Sequence, residues 1–371
     1  MADRTEDRVS GILKLTGRNG GVLLDPELSL RPTGTDPQVP PGLVKTHGLV
    51  AGAAVAGPAR RRGAVLELTA VETVCGLDPA AFAARPRFDR LVAIDPNERF
   101  DLAASGDPSM RAVDLLAPIG KGTRGLVVAP PKAGKTTLLG KLAATIAAVA
   151  PQTRIIMLLV DERPEEVTHF RRQIPAEVIA SSSDQPTHEH IALLELMLAH
   201  IRTELECGCD VVVLLDSLTR LARASNLESR GRSRSLSGGM EAGALEMPRR
   251  FFGLARNVEH GGSVTIIASI LVDTGSRMDQ VIFEEFKSTG NSEIVLDRAL
   301  AQANIYPAVD IAASGTRKEE HLHPPEDTAR IHALRRALDG YKPREAMLGL
   351  LRLFEQYPSN AELLRALPGV G

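Results

Sequence analysis

The sequence predicts an α/β protein: a mostly parallel sheet covered by helices on both faces, carrying a phosphate-binding loop and preceded by a small β-barrel. Three observations predict it. Beyond Leu115, continuous apolar runs of strand length alternate with helical segments, as strands buried on both faces require. Between Ser10 and Val74, short apolar runs such as Gly11 to Leu15, Gly21 to Leu24 and Val65 to Val71 are separated by Gly, Pro and Asn, which suits a barrel or a partly open sheet. The run Gly125-Leu126-Val127-Val128-Ala129-Pro130-Pro131-Lys132-Ala133-Gly134-Lys135-Thr136-Thr137 passes from an apolar strand through a tight turn into a helical segment.

That third run organises the rest. It sets successive backbone N–H groups and a helix N-terminus around a volume suited to a polyphosphate. Lys135 would neutralise the β- and γ-phosphates of ATP, and the Thr136 hydroxyl would be a ligand for Mg²⁺. Ala129 stands where the usual pattern has its first glycine. The strand before and helix after separate this stretch from a chance Gly-Lys-Thr in a loop.

Composition sets the outer limits. A chain of 371 residues has room for two domains, and 43% hydrophobic with 24% charged residues describes a globular protein with a sizeable core. A formal net charge of -2 excludes a uniformly basic nucleic-acid coat, so any such contact is local. Cys75, Cys207 and Cys209 have no metal-ligand spacing; Cys207-Gly-Cys209 reads either as a metal or redox pair or as plain reduced thiols before a strand. No signal pattern opens the chain, and the apolar stretch around Leu138 to Ala150 is too short for a membrane span and carries Lys141. The expected compartment is the cytoplasm.

Residues 1–75 read as the barrel, 76–114 as a connector interrupted by Pro79, Pro86, Pro96 and Pro108, and 115–371 as the nucleotide-binding domain with C-terminal helices. Within the barrel, Gly57 to Gly63 suggests a hairpin tip bearing three arginines, touching phosphates or simply solvated. No Phe, Tyr or Trp occurs between Met1 and Val74, so base stacking has no obvious platform there. Strands are expected at Gly125 to Val128, Arg154 to Val160, Val178 to Ser181, Asp210 to Leu215, Ser263 to Leu271 and Glu293 to Asp297. Helices are expected at Lys135 to Val149, Pro164 to Gln173, Thr187 to Cys207, Asp216 to Ser225, Gly243 to His260 and Glu326 to Leu338, and one or two more within Lys342 to Leu367.

Four groups would join the phosphate loop. Asp216 ends a buried apolar strand, where it either supports the Mg²⁺ water shell or caps the following helix. Glu162 ends another and can orient and deprotonate an attacking water, whereas Glu165 and Glu166 sit in a helix first turn that acidic residues stabilise without catalysis. Arg317, in Ser314-Gly315-Thr316-Arg317, is the kind of arginine that ring ATPases present to a neighbouring subunit's γ-phosphate. Two basic loops complete the set: Arg223 to Arg256 holds seven arginines against three glutamates, centred on Arg230 to Gly239, and Asp273 to Asp279 follows an apolar strand. Around a central hole both would present arginines to one phosphate backbone; as solvated loops they would do nothing.

The runs APPKAGKTTLL, VDERPEEVT, VVVLLDSLTRLARA, LSGGMEAGALEMPRRFFGLARNVEHGGSVTIIASILVDTGSRMDQVIFEEFKSTGN and SGTRKEE resemble the bacterial transcription termination factor Rho, in unbroken order from about Arg85 to Leu338. The resemblance implies a RecA-like ATPase domain behind an OB or cold-shock-like barrel, a homohexameric ring, and ATP-driven 5′-3′ translocation along RNA. It implies that Lys132, Ala133, Gly134, Lys135, Thr136 and Thr137 bind ATP, that Thr136 and Asp216 support Mg²⁺, and that Glu162 activates water. It implies intersubunit roles for Arg163 and Arg317, and an adenine-packing role for Tyr306. Arg234, Gly238, Gly239 and Arg277 fall on the two RNA-gripping pore loops; arginine there keeps the charge of the lysine common in the family and grips phosphate bidentately. The implied partners are single-stranded RNA, further copies of the chain, RNA polymerase and transcription elongation proteins, with no membrane.

Three departures accompany the likeness. The family's leading helical segment is missing or reduced to the first residues. Gly20-Gly21-Val22-Leu23-Leu24 stands in place of a Gly-Phe-Gly-Phe type strand, and Gln38 in place of an aromatic, which removes stacking surface from the RNA-loading site. Asn304 replaces an arginine near the subunit boundary. Two alternatives stand beside a Rho-type motor: a paralogue with an intact motor but altered or partner-dependent RNA loading, and a non-motor ATP-binding assembly or regulatory protein. The ATP synthase catalytic subunit shares the general fold, but the arginine loops favour a nucleic-acid motor.

Overall fold

The computed structural model describes residues 7–17, 20–229, 239–241 and 243–367. The turn-rich N-terminal text closes into a barrel. Strands β1 (Asp7–Leu15), β2 (Gly21–Leu24), β3 (Gln38–Val39), β4 (Ala54–Arg62) and β5 (Val65–Leu68) pair in the order β1-β2-β3-β5-β4, and β4 returns to β1; β6 (Thr73–Val74) adds to β4. Closure leaves the ring without free edges. Helix α1 (Pro41–Thr46) joins β3 to β4. Alternate residues Val9, Leu13, Leu23, Val39, Val55, Ala59 and Leu68 fill the interior. The expected arginine-bearing hairpin is present, with its turn confined to Gly63-Ala64: β4 runs through Arg62, and the exposed Arg60 and Arg62 reach Glu67 across the hairpin at 3.4 and 2.6 Å. Strand pairing continues through those arginines because Arg60 and Arg61 pair with Glu67 and Leu66, and only Gly63 has a left-handed φ.

The chain then makes α2 (Pro79–Ala84), a short strand β7 (Ala93–Ile94) and α3 (Pro108–Leu116). Asp78 and Asp107 cap the two helices, each just before a proline whose missing N–H costs nothing at that position. All of α3 except its first residue is buried.

The larger sheet follows, through β8 (Arg124–Ala129), α4 (Lys135–Val149), β9 (Arg154–Glu162), α5 (Pro164–Gln173), β10 (Glu177–Ser182), α6 (Thr187–Glu206), β11 (Asp210–Asp216), α7 (Leu218–Ser229), α8 (Glu246–Phe252), β12 (Arg256–Val258), β13 (Ser263–Leu271), α9 (Arg277–Lys287), β14 (Ser292–Val295), α10 (Arg298–Gln302) and β15 (Gly315–Thr316). Helices α11 (Pro325–Asp339), α12 (Pro343–Gln356) and α13 (Asn360–Ala366) end it. The order is β10-β9-β11-β13-β8-β14-β15, parallel except for β15. Strand alternation builds two cores. Val127, Ala129, Met157, Leu159, Val212 and Leu214 pack with α3, α4 and the C-terminal helices, while Leu126, Val128, Ile156, Leu158, Val211 and Val213 pack with α6, α7, α8 and α9.

Two expected elements differ. The helix expected over Gly243 to His260 stops at Phe252; Gly253 closes it, and Arg256–Val258 joins the sheet antiparallel to β13 and β7. Edge pairing satisfies the backbone there and overrides helical periodicity. The loop expected over Asp273 to Asp279 ends earlier, because Ser276 accepts the Asp279 N–H at 3.4 Å and caps α9, which makes Arg277 its first residue.

The barrel sits on the end of the sheet next to β10. Ser29 Oγ accepts from the Ala180 amide at 2.9 Å and from Arg171 at 2.7 Å. Gly52, with φ +85, lies so close to α6 that a Cβ would come within 2.3 Å of the His200 amide nitrogen, and the His200 ring contacts the Gly52 carbonyl at 2.7 Å.

Candidate nucleotide site and its connections

Parallel strands place β8, β13, β11 and β9 side by side, so the turns after them share one edge of the sheet. Helix α4 begins there at Gly134, whose φ of 95° only glycine adopts freely, and no side chain caps it. Its first N–H groups are therefore left for an anion. Lys132, at φ 65°, is exposed, Ala133 is buried beneath the turn, Thr136 is half-buried and Thr137 exposed.

The Lys135 ammonium pairs with the Asp216 carboxylate, two strands away at the end of β11. Asp216 is wholly buried; its Oδ1 also accepts from Ser269 at 2.9 Å, while its Oδ2 is enclosed without a partner. The alternative role of helix cap falls to Ser217, whose hydroxyl accepts the Arg220 amide at 3.2 Å. Asp216 is thus free for the site.

Glu162 ends β9 and is buried. Its Oε1 accepts from the Arg163 amide and from Arg220, both at 3.2 Å, while its Oε2 is enclosed and unpartnered. Burial, reinforced by the Asp216 charge, raises its pKa above the ordinary glutamate value. An unpartnered, basic carboxylate oxygen beside the phosphate turn suits proton abstraction from water.

Tyr306 comes from the segment after α10, yet its ring lies over the turn: a Cβ on Gly134 would be 3.4 Å from it. Beside it opens a cavity of about 270 Å³ lined by Ser109, Ala133, Thr137, Lys141 and Pro307 among others. Tyr306 remains 52% exposed, leaving a ring face for a base to cover.

Of the remaining expected residues, Arg163 adjoins Glu162, and the others lie away from this cluster or outside the described residues. Arg163 starts α5 and is exposed. Arg317 is exposed and follows β15, at the end of the sheet where β8 and β14 begin, opposite the phosphate turn. Arg277 is exposed at the start of α9, beyond the end of β13. Arg234 and Gly238 lie outside the described residues; Gly239 is described, with φ 79°.

Residues that sequence reasoning missed connect these parts. Arg220, Arg223 and Asn226 run along α7 at intervals of three. Arg220 holds Glu162 and the Asp161 carbonyl. Arg223 grips Asp279 through two hydrogen bonds of 2.9 and 2.6 Å, and Asp279 also accepts from Thr274 at 2.6 Å. Asn226 donates to the Gly239 carbonyl at 3.2 Å and accepts the Glu241 amide at 2.7 Å. The only signal available beforehand was polar residues three apart in a helix following a buried strand, which solvated faces also show.

Fold and site define a phosphate-loop ATPase. Residues 109–316 match the ATP synthase alpha/beta family, nucleotide-binding domain. Over 367 residues the chain is 46% identical to the transcription termination factor Rho of Aquifex aeolicus, covering 97% of this chain and 84% of that one. It is 44% identical to that of Cereibacter sphaeroides (95% and 85% covered) and 46% identical to that of Streptosporangium roseum (98% and 93% covered). The chain belongs to the transcription termination factor Rho family. The fold is shared with a prototypical ATPase from the type III secretion system of pathogenic bacteria (TM-score 0.64, 21% identity, 83% and 92% covered) and with the ATP synthase subunit NeqB from Nanoarcheaum equitans (0.58, 19%, 72% and 70%). Among the described residues no helix is long and apolar enough to cross a membrane.

Proposed function

We propose that the chain is an RNA-stimulated ATPase that works as a homohexameric ring, translocates 5′-3′ along single-stranded RNA and ends transcription by dislodging the elongation complex. In this reading residues 1–75 form the barrel that meets RNA, 76–114 connect, and 115–371 form the motor. The observation that carries it is α7, one helix touching Glu162, the arginine-bearing start of α9 and the end of the basic loop. A rigid element in contact with both a hydrolytic base and two candidate RNA-gripping segments can pass a shift from one to the other.

Glu162 Oε2 takes a proton from water, which attacks the γ-phosphorus in line as the bond to the β,γ-bridging oxygen breaks, releasing ADP and inorganic phosphate. Lys135, released from Asp216 when ATP arrives, neutralises phosphate charge, as do Lys132 and the N–H groups of Gly134, Lys135, Thr136 and Thr137. The enclosed Asp216 Oδ2 and the Thr136 hydroxyl are hard oxygen donors that fit Mg²⁺, which would supply charge neutralisation between the phosphates. Arg317 lies at the far end of the sheet from its own phosphate turn, which is compatible with the reading that it acts on the next subunit, with Arg163 at the same boundary. Tyr306 packs on adenine. Arg234, Gly238, Gly239 and Arg277 hold the RNA backbone in the central channel.

Steady-state ATP hydrolysis with and without single-stranded homopolymer RNA tests the reading. Stimulation that Arg277→Glu abolishes is the expected result; turnover indifferent to RNA overturns it. A second reading, a paralogue with altered RNA loading, is favoured by one observation. Val22, within the strand that stands in place of the Gly-Phe-Gly-Phe type, and Gln38, in place of an aromatic, are cross-strand neighbours on β2 and β3, so the changed positions adjoin one another. RNA-stimulated turnover combined with weak binding to pyrimidine-rich RNA would select it.

A further inference from the structure

One face each of α6, α7 and α8 closes around a cavity of about 310 Å³ that has no residue of the phosphate turn in its wall. Helix spacing supplies that wall. Glu195 lies one turn beyond Ile191 on α6, Ser225, Glu228 and Ser229 share a face of α7, and Arg250 lies one turn beyond Glu246 on α8. Among the described residues none of the three glutamates is paired with a cation, and Arg250 has no carboxylate partner. Three carboxylates against one guanidinium leave an excess of negative charge. Ser225 forms the inner wall: it is 5% exposed, and its hydroxyl has no hydrogen-bond partner. The Ser229 hydroxyl, by contrast, donates to the Ser225 carbonyl at 2.9 Å. A buried hydroxyl left unpartnered costs free energy that a bound donor recovers.

We infer that this cavity binds a linear polyamine, an alkyl chain carrying two or three ammonium groups. A metal ion is the other common way to neutralise gathered carboxylates. Among the described residues, however, no group of three or more histidines, cysteines or carboxylates is arranged to hold one. A hard cation needs its oxygen donors within about 2.3–2.6 Å of a single point. Carboxylates delivered by three separate helices suit charges spread along a chain instead. Between the acids the wall is apolar, formed by Ile191, Ala244 and Met247, and methylene groups cover such a surface while their charged ends stay on the acids. One ammonium donates to the Ser225 hydroxyl and to Glu228, which is half-buried three residues further along α7. Another meets Glu195 and Glu246, both exposed at the mouth. A bound chain therefore joins α6, α7 and α8, and its binding depends neither on ATP turnover nor on RNA.

The test titrates putrescine and spermidine into the full chain, free of nucleotide and RNA, by isothermal calorimetry at constant ionic strength. Saturable binding of one amine per chain is expected, tighter for spermidine than for putrescine. Glu228→Gln and Glu246→Gln should each weaken it about 2- to 5-fold, the upper range for single ion pairs near the surface. Glu195→Gln, Glu228→Gln and Glu246→Gln combined should abolish it. Ser225→Ala should also weaken binding, an effect that attraction by charge alone would not produce. Glu355→Gln, which changes an exposed acid on α12, should leave it unaltered. Absence of saturable binding overturns the proposal. So does equal weakening by Glu355→Gln, which would mean attraction to acidic surface at large, and so does displacement of the amine by magnesium at matched ionic strength, which would mean a metal site.

Discussion

Arg220 donates to Glu162 across 3.2 Å and, through its other terminal nitrogen, to the Asp161 carbonyl across 2.7 Å. The bond occupies only Oε1 of the glutamate, and Oε2 stays unpartnered. The arginine thus holds one oxygen and leaves the other without a partner, while its charge opposes part of the burial cost of the carboxylate.

Arg220→Ala should lower kcat for ATP by about 100-fold, the lower range of what a positioned base contributes, with little change in KM. Initial-rate kinetics check this. Arg220→Lys, which keeps the charge but not the fork, should recover only part of the loss.

Glu162→Gln should abolish turnover and raise Tm near neutral pH. The sign follows from the raised pKa: the folded state holds its proton more tightly than the unfolded state, so ionising Glu162 costs stability above its folded pKa and nothing below the unfolded value of 4.5. The gain from glutamine is therefore present at neutral pH and disappears in acid. Thermal melts of both proteins across that range read it directly.

Lys135→Ala should eliminate ATP hydrolysis. It also leaves Asp216 buried without its cation, a change that costs about 3–5 kcal/mol in buried pairs. Adding Asp216→Asn should restore much of the lost stability and none of the activity, as denaturant titration alongside an ATPase assay would show.

Asp279→Asn weakens the grip of Arg223 and so the link from α7 to Arg277. Coupling through such networks is worth about 0.5–2 kcal/mol, so the ratio of RNA-stimulated to basal hydrolysis should fall about 2- to 30-fold. An unchanged ratio would remove α7 as the connection.

Tyr306→Ala should raise KM for ATP by about 5- to 160-fold, since stacking on a base contributes about 1–3 kcal/mol. Tyr306→Phe should be near neutral, because the hydroxyl makes only a 3.5 Å contact to the Ala301 carbonyl.

What the sequence determined by itself was local. The apolar runs of β8, β9, β11 and β13, the turn from Ala129 to Thr137 and the carboxylates at two strand ends were legible, because strand periodicity and turn chemistry are written within a few consecutive residues. Tertiary structure decided which of these meet. Lys135 reaches Asp216 only because β13 lies between their strands, and Tyr306 covers Gly134 only because the segment after α10 folds back over the turn. The three contacts of α7 and the strand Arg256–Val258 likewise depend on packing between distant segments. Strand order and helix docking are set by burial summed over the whole chain, and no short stretch contains that sum.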